Sequence, residues 1–442
     1  MELCHHRRRA RTRVQRLVPD SPRRVSPVSA SDKNVLIVGG GLAGLACAIR
    51  LHEAGARTTI FEQSDDVGGR VRTDLMDGFL LDRGFQVFLD AYPEAGHLLN
   101  RQGLDLRAFK PGALIYTPSG MRRVMDVTRE PRHFMASVLA PVGSLADKLR
   151  VAALKMRLMR VSREDTAAHE DMTTERYLER AGFTPSMIDG FFRSFYGGIF
   201  LERDLHTSSR MFEFTFKMFS QGSATLPSAG MGAIPRQLAS RLPADTIRLG
   251  ATVTAIQSGR VTLDSGEQCH GDAVVVATDG STAAGLLPAS AVDAPFWRSV
   301  TCLYFAAPRS PLREPIIALN GTGSGLVNNV CVPSDVAPDY APPGQALVSV
   351  SVLGTVNPEG LESRVLSELE AWLGSTVRAW RHLRTYRIER ALPKQAPGTG
   401  LTGPGFRKEG GVYLCGDHLW SASIEGALIS GLRTADAILQ PS

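Results

Sequence analysis

"NVLIVGGGLAGLACAIRLHEAGARTTIFEQ", Asn34 to Gln63, decides the fold. It opens on an apolar run, Val35 to Val38, that reads as a buried strand. Gly39, Gly41 and Gly44 then form G-x-G-x-x-G, with Leu42 and Ala43 between the last two. A helical pattern follows, with Leu42, Leu45, Ala46, Ile49 and Ala54 on related faces. A second apolar run, Thr58 to Phe61, ends at Glu62. Each part has a mechanical role. Gly39 permits the tight turn, Gly41 lets backbone approach a pyrophosphate, and Gly44 lets the helix lie close to the strand. Glu62, about 20 residues on, is placed to accept from ribose hydroxyls. Strand, glycine turn, helix and acid together imply a dinucleotide site. They do not separate FAD from NAD, which share an ADP half.

Bulk properties set limits around this unit. The 442 residues, 43% of them hydrophobic, suffice for a large core and two domains. The formal charge of +6 sits in the leader: residues 1–30 hold eight arginines, Glu2 and Asp20, leaving 42 basic and 42 acidic residues in the remainder. A neutral body argues against a nucleic-acid partner. The six cysteines form no C-x-x-C pair, which suggests a reducing compartment and no metal site. The Arg-rich, acid-poor leader lacks the apolar stretch of a secretory signal. It reads as an organelle transit peptide over residues 1–32, cut near Ala30, or as a disordered basic tail.

The elements further along the chain carry a family resemblance. "GGRVRT" puts Gly68, Gly69 and Arg70 in a second glycine turn, and "GFLLDRGFQVF" follows from Gly78 to Phe88. "GMGAIPRQLASRLPADTIRLGATVTAIQSGRVTLDSGEQCHGDAVVVAT" offers a helix, a strand containing Val253, a hairpin turning at Asp264 to Gly266, and a buried strand. "GVYLCGDHLWSASIEGALISGLRTADAIL", Gly411 to Leu439, offers a strand, the pair Gly416-Asp417 and a helix with Ile424, Leu428, Gly431, Leu432, Ala435 and Ile438 at helical spacing. In this order the blocks resemble the flavin-containing amine oxidase, protoporphyrinogen oxidase and phytoene desaturase superfamily. The "SIEGALISG" form is most similar to the carotenoid desaturases.

The resemblance implies a non-covalently bound FAD in a doubly wound, Rossmann-like α/β domain, interleaved with an α+β substrate domain. It implies FAD-domain segments 33–104, 225–289 and 386–442, with substrate-domain segments 105–224 and 290–385. Arg70 would run beside the pyrophosphate, Gly84 and Phe85 beside the flavin ring, and Val253 would lend backbone to the adenine. Gly416 and Asp417 would face the pyrophosphate and ribityl chain. The final helix would point its N-terminus, at Ile424, towards the flavin ring, where its dipole stabilises charge on reduction. The resemblance also favours plastid over mitochondrion for the leader. There are departures: Gln63-Ser64 replaces a second phosphate-facing arginine, no flavin-facing lysine is matched, and Cys415 lies in a strand that reads as buried. Glu425 reads as a first-turn acid with or without a chemical role.

Two segments of the substrate domain bear on the substrate. "GFFRSFYGGIFL" and "RMFEFTFKMF" concentrate aromatics that either fill the core or line a long apolar pocket. "LADKLRVAALKMRLMRV" puts Leu145, Leu149, Ala152, Met156 and Met159 on one helical face. That face either packs on the core, leaving a solvated basic side, or lies on a membrane surface beside an entrance for apolar substrate. The expected activity is hydride transfer between an apolar, polyene or isoprenoid-like substrate and FAD. The alternatives are a flavin amine oxidase and a flavin-binding scaffold without turnover. No catalytic acid or base is assigned. Arg83, Glu389 and Arg390 are the polar residues to test first, each also readable as an ion-pair residue.

Overall fold

The computed structural model describes residues 33–126, 128–133, 142–162, 166, 168–288, 295–399, 401, 403–409 and 411–440. The expected leader and its cleavage site lie outside them. Strands 34–38, 57–62 and 247–249 pair in parallel on one side of a six-stranded sheet, and 273–276 and 412–415 continue it on the other. Strand 406–409 closes the edge antiparallel to 412–415. Val35 to Val38 are almost completely buried, as are Ala273 to Val276. A parallel strand covered on both faces needs such unbroken apolar runs. Three distant stretches of chain therefore build one α/β sheet, and strand 412–415 returns to it near the end of the chain.

The helix Leu42–Glu53 meets the glycine turn, and the final helix, Ile424–Leu439, meets the helix Leu42–Glu53, through glycines. A Cβ on Gly44 would stand 2.1 Å from the Gly39 carbonyl oxygen. A Cβ on Gly431 would stand 2.1 Å from the Ala43 carbonyl oxygen. Only glycine permits either approach, so the glycine motif and the last helix fit one another directly.

A seven-stranded sheet forms the second layer, in the order 381–393, 297–307, 346–353, 327–331, 317–320, 112–117, 120–125. Its residues alternate between two cores. Leu303 and Phe305 pack under the Leu361–Leu373 helix, while Cys302 and Tyr304 face the first domain. Tyr304 donates to the Asp82 carbonyl oxygen at 2.9 Å, and Tyr340 donates to the Asp82 carboxylate at 2.8 Å. Burial pushes the Asp82 carboxyl up to about 6 despite the hydrogen bonds it accepts from Thr73, Met231 N–H and Tyr340.

One expected boundary moves. Arg381–Pro393 is a single strand paired along strand Trp297–Ala307 from Ala306↔Arg381 to Trp297↔Pro393. A division at 385/386 would cut through it. The switch back towards the first sheet comes after Pro393, because ladder pairing holds the whole strand in the second layer.

Candidate active site

The two glycine turns touch. Gly68 N–H donates to the Gly40 carbonyl oxygen at 2.9 Å, and Gly41 and Gly68 form a parallel bridge. Gly39 sits at φ +108° and Gly68 at φ +114°, both in the region favouring glycine. A Cβ on Gly41 would meet nothing within 4 Å, so that backbone faces open space. The Glu62 carboxylate stands beside it. It accepts from Gly40 N–H at 2.7 Å and from Ser64 N–H and Oγ at 2.9 and 2.7 Å. A carboxylate has about four acceptor sites, so one remains for a ligand hydroxyl.

Arg70 leaves the second turn and reaches the far end of the chain. Its Nη2 lies 2.7 Å from Asp417 Oδ1, its Nη1 donates to the Ala391 carbonyl oxygen at 3.1 Å, and its guanidinium lies over the Trp297 ring. The final helix begins next to Asp417. Ser423 caps it, accepting from Gly426 N–H at 2.9 Å. Buried Gln395 pins the approach: it accepts from Ala422 N–H at 2.8 Å and donates to the Trp420 carbonyl oxygen at 3.0 Å. Buried Glu425 points elsewhere. It accepts from Glu94 and Ala95 N–H at 2.9 and 3.1 Å and so caps the helix Pro93–Leu98.

These groups surround a cavity of about 1460 Å³. That exceeds the usual 300–1,000 Å³ of a small-molecule pocket and leaves room for a dinucleotide and a second ligand. Of the fifteen residues singled out in the sequence, fourteen line it. Gly39, Gly41, Leu42 and Ala43 come from the first turn and helix; Glu62, Gly68, Gly69 and Arg70 from the second strand and turn. Gly84 and Phe85 follow strand 79–82, Val253 comes from the hairpin, and Gly416, Asp417 and Ile424 from the end of the chain. Gly44 is the exception, because its place is the contact of helix with turn.

Beyond Phe85, Tyr386 and Ile388 the same cavity acquires an aromatic wall. The two Phe-rich segments are the helices Arg193–Phe200, with the turn before it, and Ser209–Gln221, and helical geometry divides their rings. Phe192, Phe212 and Phe214 are buried in the core; Phe191, Phe195, Phe216 and Phe219 line the cavity. Phe191 stacks on Phe195 at 5.6 Å, and Phe195 meets Phe219 edge-on at 5.3 Å. Both expectations for these aromatics hold, each for one face. Leu145, Leu149 and Ala152 also line the cavity and are exposed, so one mouth of the cavity lies there; exposed Glu389, Arg390 and Lys394 mark another opening.

Arg83, Glu389 and Arg390 all line the cavity, with the two arginines already engaged. Arg83 pairs with Asp74 at 2.9 Å and Arg390 with Asp279 at 3.2 Å. Sequence reasoning missed Gln395 and the pair Arg298–Glu202, in which Arg298 lines the cavity and Glu202 is buried. No local motif marks either, since both partners meet only through the tertiary fold. Cys415 is buried in its strand, and burial pushes its thiol up to about 12. Among the described residues no group of three or more His, Cys, Asp or Glu could hold a metal.

A family model described as flavin containing amine oxidoreductase matches residues 42–439. A coproporphyrinogen III oxidase of Propionibacterium freudenreichii is 34% identical over 132 residues, 27% of this chain and 24% of that protein. A carotenoid phi-ring synthase of Streptomyces griseus is 35% identical over 129 residues, 26% of this chain and 25% of that protein. The matches thus span about a quarter of the length of these relatives. The crystal structure of an oxidoreductase from Methanosarcina mazei has the same fold, with a TM-score of 0.71 at 17% identity over 90% of this chain and 98% of that one. The chain belongs to the flavin containing amine oxidoreductase family.

Proposed function

We propose that this member of the flavin containing amine oxidoreductases binds one FAD without a covalent link and transfers hydride equivalents between it and an apolar substrate of polyene or isoprenoid type. The observation that carries the reading is the continuity of one cavity from the glycine turns to a wall of Phe191, Phe195, Phe216 and Phe219. Burying a polyene there would contribute about 2.5 kcal/mol per 100 Å². The flavin supplies the hydride acceptor, which side chains alone do not offer.

The chain's own residues would bind and orient. Gly41, Gly68 and Gly69 expose backbone to the pyrophosphate, and Glu62 offers its remaining acceptor site to the ribose. Arg70 and Asp417, already joined, would hold the middle of the cofactor. The capped N-terminus at Ile424 would face the flavin ring and stabilise charge arriving there. The strand burial of Cys415 supports a non-covalent cofactor, because a thiol so far from ionisation is a poor nucleophile. The related carotenoid phi-ring synthase supports an isoprenoid substrate.

Acid precipitation should release yellow flavin into the supernatant; flavin kept by the pellet would refute the non-covalent claim. Gly41→Leu should purify colourless, since its side chain would fill the space a pyrophosphate needs. For the substrate, the anaerobic, oxidised enzyme is mixed with carotenoid precursors in detergent and with common primary amines. Bleaching of the flavin band by the first class and not the second supports the reading. The reverse result makes the protein an amine oxidase.

A further inference from the structure

We propose that the outward face of the Leu145–Arg160 helix docks on a bilayer bearing anionic phospholipid headgroups, so that the cavity mouth on that face opens onto lipid. The observation is where this helix keeps its apolar residues. Leu145, Leu149, Met156 and Met159 are 61%, 66%, 59% and 49% exposed, and they form four of the seven strongly exposed large apolar side chains among the described residues. Their spacings of four, seven and three residues place them on one stripe. The expectation that this stripe packs on the core is overturned. The inner face is made instead by Asp147, Leu154 and Leu158, all buried.

The helix is firmly seated, so the exposure is not fraying. Ser144 and Asp147 form a capping box, and Asp147 also accepts from Thr184 N–H and Oγ1 at 2.9 and 2.7 Å. A seated helix with an outer apolar stripe wants a covering medium. Charge selects which one. Lys148, Arg150, Lys155, Arg157 and Arg160 lie on this helix; pairing of Arg150 with buried Asp147, Lys155 with Asp126 and Arg157 with Glu213 offsets three of the five, leaving an excess of two positive charges beside the stripe. Leucine and methionine in the acyl boundary with basic groups at headgroup level is the arrangement of an interfacial helix. Among the described residues no helix is long and apolar enough to cross a membrane, so the contact lies in the plane of one leaflet. The mouth at Leu145, Leu149 and Ala152 belongs to the same face. Lipid delivery of substrate rests on the proposed function; the docking itself does not.

The test uses the flavin-loaded full chain and vesicles of phosphatidylcholine, alone or with about one-third phosphatidylglycerol. Cosedimentation should be strong with the mixed vesicles and weak with phosphatidylcholine alone. Met156→Glu/Met159→Glu, which lies off the cavity, should lower binding at least tenfold. It should leave flavin content, melting temperature and bleaching by detergent-dispersed substrate unchanged. Arg160→Glu should lower binding roughly fivefold or more, from about 1 kcal/mol per basic group at an anionic surface. Equal binding by wild type and the double variant overturns the proposal. So does failure to bind either vesicle, or a dimer in light scattering that the double variant dissociates, which would assign the stripe to a second copy of the chain. If vesicles bind but no polyene bleaches the flavin, the docking stands and the substrate reading falls.

Discussion

Leu145–Arg160 and Ile424–Leu439 are both 16 residues long, both capped by serine, and both striped at helical spacing. The final helix buries its stripe: Leu428, Gly431, Ala435 and Ile438 are inaccessible against the Leu42–Glu53 helix and the parallel sheet. The other turns its stripe outward and packs through Leu154 and Leu158. Periodicity thus reports that a face is apolar, and it is silent about the medium that covers it. The difference in burial should appear as a difference in energy.

The largest effect is expected where backbones touch. Gly431→Leu would force a side chain into the space held by the Ala43 carbonyl oxygen. It should cost about 4 kcal/mol or more, or prevent folding. Ala153→Leu, on the exposed side of the other helix, should stay within about 0.5 kcal/mol. Thermal unfolding of the two variants checks this, and equal costs would break the comparison.

A sharper contrast lies within the 145–160 helix. Leu158→Ala removes a side chain that is 1% exposed and should cost about 2–5 kcal/mol. Met156→Ala, two positions earlier, should cost less than about 0.5 kcal/mol in solution. Urea denaturation midpoints at constant slope measure both. A large cost at Met156 would mean the stripe is covered within the protein itself.

The smallest expected contrast concerns the carboxylate that seats each helix. Glu425 ties the final helix to residues 94 and 95, and Asp147 ties the other to Thr184. Asp147→Asn should cost about 1–2 kcal/mol at neutral pH, as loss of a cap does. Burial opposes the charge on Asp147, but donors from Ser144 and Thr184 prevail and hold its carboxyl down at about 2. A carboxyl lowered on folding stabilises above its unfolded value and loses that contribution as the pH falls. The gap between wild type and Asp147→Asn should therefore be full above about pH 4 and close towards pH 2. Urea midpoints across that range would show it; a gap independent of pH would assign the cost to packing alone.

What could be read from the chain and what could not divide along one line. Gly39, Gly41, Gly44, Gly68 and Glu62 were legible because their tasks are local: a positive φ, a close approach, an acid one strand away. Strand runs such as 35–38 and 273–276 were legible because burial on both faces demands unbroken apolar sequence. The Arg70–Asp417 pair joins residues 347 apart, and no local pattern couples them. Gln395 looks like loop composition until Ala422 and Trp420 arrive beside it. Strand 381–393 could have ended at 385 had Trp297–Ala307 not paired along its length. By itself the sequence determined the cofactor sheet, the glycine turns and the amphipathic character of both long helices, because each is set by neighbours within a few residues or by simple burial. The tertiary structure alone decided which stripe meets protein and which faces outward, and which aromatic rings form core and which form cavity wall. Those outcomes depend on surfaces contributed by residues far away in the chain.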